Sequence, residues 1–158
     1  MQPSNDKACY ILDDQVGYLL RTANQRHRAI FSELMPNKMP PMQFAAMVRL
    51  YFDGSMSQNL LGRTAAMDSA TITGVVNRLR KQGWVSHRQD PGDRRSYIVD
   101  LTDEGRVMVE RLLPAAAEIT AATLEPLTRA EQLALVELLR KLSHSSRADG
   151  PPVRRKEP

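Results

Sequence analysis

The run Asp93-Arg94-Arg95 sets one carboxylate beside two guanidinium groups, inside the stretch "HRQDPGDRRSYIVDLTDEG" from His87 to Gly105. Turn residues there separate two β-prone segments, so the three charges fall at a hairpin tip. Guanidinium groups carried on a narrow tip suit a negatively charged groove, and a neighbouring carboxylate such as Asp93 can orient one of them through a salt bridge. Just upstream, "DSATITGVVNRLRKQG" supplies a second set. Ser69, Thr71 and Thr73 carry short hydroxyls able to bond phosphates or base edges, and Asn77 and Arg78 offer bidentate geometries. Between Arg78 and Arg95 stand six Lys/Arg, with Arg80, Lys81 and Arg88 among them, against two Asp, so this segment alone accounts for the net charge of +4. A focused basic patch on an otherwise balanced chain points to a polyanion. Charge by itself also fits a solvated surface.

Local signals place these groups on definite elements. Helical spacing runs from Asp13 to Met35, with Val16, Leu20, Ala23, His27, Ile30 and Leu34 on one face. The prolines of "MPNKMPP" break it, and a second helix runs from Pro41 or Met42 to Phe52, closed by Asp53-Gly54. A third, short helix spans Ser57 to Ala66 with Ser57 as N-cap. The fourth is capped by Asp68 or Ser69, buries Ile72, Val75, Val76 and Leu79, and ends at Gly83. The hairpin follows, with Asp90-Pro91-Gly92-Asp93 suited to a type II turn in which glycine takes positive φ. Thr102 caps a fifth helix that Pro114 should kink or break. A capping box, Thr128 to Glu131, starts a sixth, whose Leu133, Leu135, Val136, Leu138, Leu139 and Leu142 cover more than one face. So wide an apolar surface implies burial against a partner subunit.

The 158 residues suit one domain with arms; 42% hydrophobic and 25% charged residues describe a globular, water-soluble chain. No apolar run reaches the ~20 residues of a membrane helix, and no signal peptide precedes the first helix. The single cysteine, Cys9, excludes an internal disulfide framework and fits a reducing cytoplasm. His27, His87 and His144 are scattered without metal-ligand spacing, and phosphate-cradling glycine loops and nucleophile motifs are missing. These features argue against catalysis and call for no metal or cofactor.

Helix, short helix, tight connection, polar-faced helix and charged hairpin is the order of a winged helix-turn-helix, a mainly α fold with a small β-hairpin wing (α+β). Its recognition helix needs one apolar face for docking and a polar face for the major groove. The run from Ser57 to Gly105 resembles the DNA-binding core of the MarR family of transcriptional regulators, most specifically in Asp93-x-Arg95 followed by Leu101-Thr102 and Gly105. The resemblance extends over about residues 10–145. It implies a homodimer built through N- and C-terminal dimerisation helices, double-stranded DNA with a pseudo-palindromic operator as partner, and Arg95 in the minor groove. The organisation expected is an N-terminal arm (1–10), a dimerisation helix (11–40), the DNA-binding lobe (41–102), dimerisation helices (103–146) and a disordered tail (147–158). DNA contacts are expected from Ser57, Ser69, Thr71, Thr73, Asn77, Arg78, Arg88, Asp93, Arg94 and Arg95. Two positions depart from the family pattern: Gly62 stands where alanine is usual, and Ala66 where glycine is common.

By the same resemblance, a small aromatic acid binds between the dimer helices and the DNA-binding lobe and releases a repressor from its operator. His27 on the first helix, with Phe44, Met47, Val48 and Tyr51 on the second, would suit an aromatic carboxylate. Similarity to regulators of aromatic and nicotinate catabolism makes a phenolic or pyridine acid the first effector to test. His27 as a satisfied core or interface histidine is the competing reading. Cys9, near the start of the first helix, offers oxidant sensing instead, or an inert thiol. A winged helix used only as a protein-interaction module is the remaining alternative; the basic patch argues against it.

Overall fold

The computed structural model describes residues 11–144. The expectations for the 1–10 arm, Cys9 and the 147–158 tail fall outside the described residues. After a 3-10 turn at Leu12–Asp14 come α1 (Val16–Leu34), α2 (Pro41–Asp53), β1 (Met56–Ser57), α3 (Gln58–Thr64), α4 (Ser69–Lys81), β2 (Val85–Gln89), β3 (Tyr97–Leu101), α5 (Asp103–Leu124) and α6 (Arg129–His144). The fold is mainly helical with one small antiparallel sheet, ordered β1-β3-β2. None of the described helices is long and apolar enough to cross a membrane.

The helix starts follow from local chemistry. The Ser57 hydroxyl accepts from the Leu60 N–H at 3.2 Å, the Asp68 carboxylate from Thr71 at 2.7 Å, and the Thr102 hydroxyl from Gly105 at 3.0 Å. Each satisfies an orphan donor of a first turn. The capping box forms as expected, with Thr128 N–H donating to Glu131 at 2.8 Å. Hydrogen bonds with Thr71 hold the Asp68 carboxyl below its ordinary range, and those with Thr128 do the same for Glu131.

Ile72, Val75, Val76 and Leu79 of α4 are all buried, joining Met47 and Leu50 of α2, Val99 of β3 and Val109 and Leu112 of α5 in one core. On α1 the core-facing side is Phe31, followed by Met35 and Met39 in the connection. The apolar face read from the sequence is only partly covered: His27 and Ile30 are half-buried. Val16, Leu20 and Leu34 stay exposed, left uncovered by the core that the described residues build.

Three local expectations are corrected. Of the two outcomes expected at Pro114, the break does not occur: α5 is continuous from Asp103 to Leu124. A proline removes one ladder donor, and packing of α5 against α1 and α2 holds the turns on either side together. The wing tip is not a type II turn, since Gly54 and Gly83 are the described glycines with positive φ, and Gly92 is not among them. Asp90 Oδ1 instead accepts from Gly92 N–H at 2.8 Å, and Asp93 Oδ1 from Arg95 N–H at 3.0 Å. These side-chain turns compete successfully with the Pro-Gly preference. The ion pairs among the described residues do not include Asp93, so the expected salt bridge to a guanidinium group does not form. Asp93 Oδ1 serves the Arg95 amide instead. Strand β1 was not foreseen; two residues, Met56 and Ser57 opposite Val99 and Ile98, leave no readable alternation.

The two departures from the family pattern meet in the helix-turn-helix. A Cβ on Gly62 would lie 3.1 Å from Ile72 Cγ2 and 3.3 Å from the Met67 carbonyl, so glycine lets α3 lie close on α4. Ala66 in the turn adopts φ 55°. An L-residue there costs about 1–2 kcal/mol, partly offset by glycine's larger unfolded-state entropy, so Ala66→Gly should stabilise by about 0.5–1 kcal/mol. A urea titration with unchanged slope and a higher midpoint would show it. Gly105 has a different constraint. A Cβ there would collide with the Trp84 carbonyl, which also accepts from Thr102 N–H at 3.1 Å and therefore cannot easily yield. Gly105→Ala should cost on the order of 3 kcal/mol or more by overpacking, read from the same titration.

Candidate nucleic-acid interface

Helix α4 offers the polar face that its sequence implies, with Ser69, Thr73, Asn77, Arg78, Arg80 and Lys81 exposed and Thr71 half-buried. Antiparallel pairing of Val85 with Leu101 through Gln89 with Tyr97 projects the tip beyond the sheet. Arg88 is exposed on β2, and Arg94 and Arg95 are exposed at the tip. Local bonds brace that tip: Gln89 Nε2 donates to the Arg94 carbonyl at 2.6 Å, Ser96 N–H to Asp93 O at 2.8 Å, and Asp90 N–H to Ser96 O at 2.9 Å. The arginine backbones are thus fixed while their guanidinium groups face water.

The cations of this surface are concentrated in one segment and are not spent on ion pairs among the described residues. Ion pairs among the described residues join Arg26 to Glu125, Arg49 to Asp53, Arg106 to Asp100 and Lys141 to Glu137. Arg78, Arg80, Lys81, Arg88, Arg94 and Arg95 take part in none of them. The α4–wing segment thus keeps six uncompensated cations available to phosphate.

Three of the residues expected at DNA have duties inside the protein, Asp93 through its bond to the Arg95 amide. Ser57 is the α3 cap. Thr73 Oγ1 donates to the Ser69 carbonyl at 2.8 Å and accepts from Gln58 Nε2 at 3.0 Å. Gln58 also bonds His87 Nε2 at 3.2 Å, and the His87 ring stacks on Tyr97 with centroids 4.4 Å apart and planes 14° from parallel. Burial, then the charge of Arg80, holds the His87 imidazole below its ordinary range and favours its neutral form. Sequence reasoning missed Gln58, His87 and Tyr97, whose spacings belong to no linear motif.

The second candidate cluster lies around α1, α2 and α5. His27 Nδ1 is 3.0 Å from Thr123 Oγ1, which itself donates to the Ile119 carbonyl at 2.7 Å. With the hydroxyl proton committed, Nδ1 must be the donor, and Nε2 is the remaining polar edge of the ring. His27 meets Phe31 at 6.2 Å between centroids, and Phe31 meets Phe44 edge-on at 6.1 Å. Tyr51 donates to Glu110 Oε1 at 3.1 Å, a bond that raises the phenol's pKa. Val48 is half-buried, whereas Met47 is fully buried as part of the core. Gln43, one residue before Phe44, is buried with Oε1 lacking a hydrogen-bond partner among the described residues. A surface depression lined by Asn59, Gly62, Arg63, Met67, Ser69 and Ile72 lies on the helix-turn-helix, away from this cluster.

A helix-turn-helix with its second helix polar side outward, followed by a hairpin bearing unpaired arginines, defines a winged-helix protein of the transcription-regulator class. The chain belongs to the MarR family: a sequence profile of that family matches residues 39–97. It is 38% identical over 146 residues to the HTH-type transcriptional repressor NicR of Pseudomonas putida, covering 92% of each chain. A probable transcriptional regulator from Pseudomonas aeruginosa has a similar crystal structure, with 48% identity, TM-score 0.80 and coverage of 84% of this chain and 99% of that one. BpsR of Bordetella bronchiseptica, whose DNA binding is regulated by 6-hydroxynicotinic acid, is 41% identical with TM-score 0.81, covering 85% and 96% of the two chains.

Proposed function

We propose that this chain acts in the cytoplasm as a homodimeric, sequence-specific repressor, released from its operator by a small phenolic or pyridine acid. The observation that carries the DNA-binding part is the set of six uncompensated cations on α4 and the wing. In this reading α4 enters a major groove through Ser69, Asn77 and Arg78, and Arg95 reaches the adjacent minor groove.

Dimerisation is supported by apolar surface that stays exposed on α1 and α6. Val16, Leu19 and Leu20 on α1 are 65%, 50% and 47% exposed, and Leu133, Leu138 and Leu142 on α6 are 57%, 56% and 59% exposed. Helix α6 packs only marginally on the other helices of its own chain. Residues 11–40 and 103–146 would then form the dimer around the 41–102 lobes. A two-fold dimer presents two α4 helices and two wings, which matches a pseudo-palindromic site.

The effector reading draws on relatives and on His27. NicR is a repressor by name, and BpsR responds to 6-hydroxynicotinic acid. His27 offers Nε2, held in orientation by Thr123 and flanked by the Phe31–Phe44 aromatic pair, to a ring hydroxyl or lactam N–H. Fluorescence anisotropy of the chain on its own promoter tests this by titrating 6-hydroxynicotinic acid and a panel of hydroxybenzoic acids. Release by one member, weakened in His27→Ala, is expected. Insensitivity to all of them, with release by peroxide that Cys9→Ser abolishes, would replace the effector reading with oxidant sensing.

A further inference from the structure

The bonds linking β2, α3 and α4 have a single consistent polarity. Thr73 commits its proton to the Ser69 carbonyl, so its lone pair must face the Gln58 amide N–H. That orientation turns Gln58 Oε1 toward His87, whose Nε2 must then donate. The result is a one-way chain from the wing strand through the first residue of α3 to the first turn of the recognition helix. The stack of His87 on Tyr97, two registers along on the neighbouring strand, fixes the plane of the imidazole.

We propose that Gln58 and His87 form a clasp that sets the wing against the recognition helix, making both of them positioning residues for operator binding. The inference rests on the regulator reading above. One duplex must be met by α4 and by Arg95 at once, so the angle between helix and wing decides whether both contacts form together. The arginine tip is braced internally by Asp90, Asp93 and Gln89, and therefore moves with the hairpin as a unit. Midway along β2, the Gln58 bond to His87 joins the hairpin to the helix-turn-helix through side chains. Rigid presentation saves the ordering cost that a swinging wing would meet on binding.

The test uses the full chain on its promoter fragment and on random duplex across a salt series. His87→Phe keeps the stack and removes the donor; Gln58→Ala removes the amide and suits a helix start. Each should weaken promoter binding by about three- to tenfold, the size of one hydrogen bond. The double variant should be no worse than either single, because both remove the same link. No cationic residue is lost, yet the salt slope should fall toward that of Arg95→Ala, because the wing arginine makes its phosphate-side contact less often. Should His87→Phe fail to fold, Gln58→Ala alone decides the question through the same affinity and slope. Full affinity with an unchanged slope overturns the clasp, as do single losses that multiply in the double variant. A wild-type chain that cannot tell its promoter from random duplex overturns the regulator reading instead.

Discussion

Arg95→Ala should weaken operator binding by about 2–6 kcal/mol per dimer, from roughly 1–3 kcal/mol for each of two wings. The salt slope should fall by about one per lost contact, and the dimer should persist. The geometry explains the size of the effect. Asp93 Oδ1 fixes the Arg95 backbone at 3.0 Å while leaving the guanidinium group exposed and free of ion pairs among the described residues. Among the described residues the Arg95 guanidinium group makes no bond on which the fold depends, so its loss is read at DNA and not in stability. Arg94, whose carbonyl is held by Gln89, makes the informative control. Equal losses from Arg94→Ala and Arg95→Ala would indicate diffuse attraction rather than a defined groove contact. A melting shift in Arg95→Ala would show that the arginine is structural. Anisotropy titrations at several salt concentrations, with sedimentation for the dimer, separate these results.

Leu138→Glu should convert the chain to a monomer and remove most operator affinity. Leu138 is 56% exposed, so glutamate at that position costs the isolated fold little and is a good helix former. Across a two-fold interface the same change places two carboxylates in a desolvated seam, each without a partner, at several kcal/mol apiece. Losing the dimer also uncouples the two half-sites, and the avidity gained from binding both disappears. Sedimentation velocity should show a species of half the mass with unchanged helical content. A dimer that survives Leu138→Glu would mean that α6 does not form the interface, and the exposed α1 leucines would be the next place to look.

The contrast between what was and was not legible follows sequence distance. The caps at Ser57, Asp68, Thr102 and Thr128 each join residues three apart, and they were readable because one turn of chain contains both donor and acceptor. The α4 stripe was readable from its period for a similar reason. The Gln58–Thr73 and Gln58–His87 bonds span 15 and 29 residues, and no periodicity encodes them. Gly105 belongs to the motif that carried the resemblance, but its reason, the Trp84 carbonyl against its Cα, appears only once β2 and α5 are placed. The wing turn went astray because two preferences compete within "DPGD". The aspartate side chains capture the amides two residues on, and the Pro-Gly pair yields to them. The α1 stripe shows the remaining gap. A single chain's periodicity finds an apolar face without saying whether its own core or a second copy covers it.

The account stands most directly on whether the uncompensated cations of α4 and the wing read a particular duplex. Affinity of the chain for its own promoter fragment, set against a random duplex of equal length from low to physiological salt, measures this. Counterion release predicts that both affinities fall steeply with salt, while the promoter stays preferred by about a thousandfold or more at physiological salt. Equal affinity for the two duplexes at every salt concentration would contradict the account.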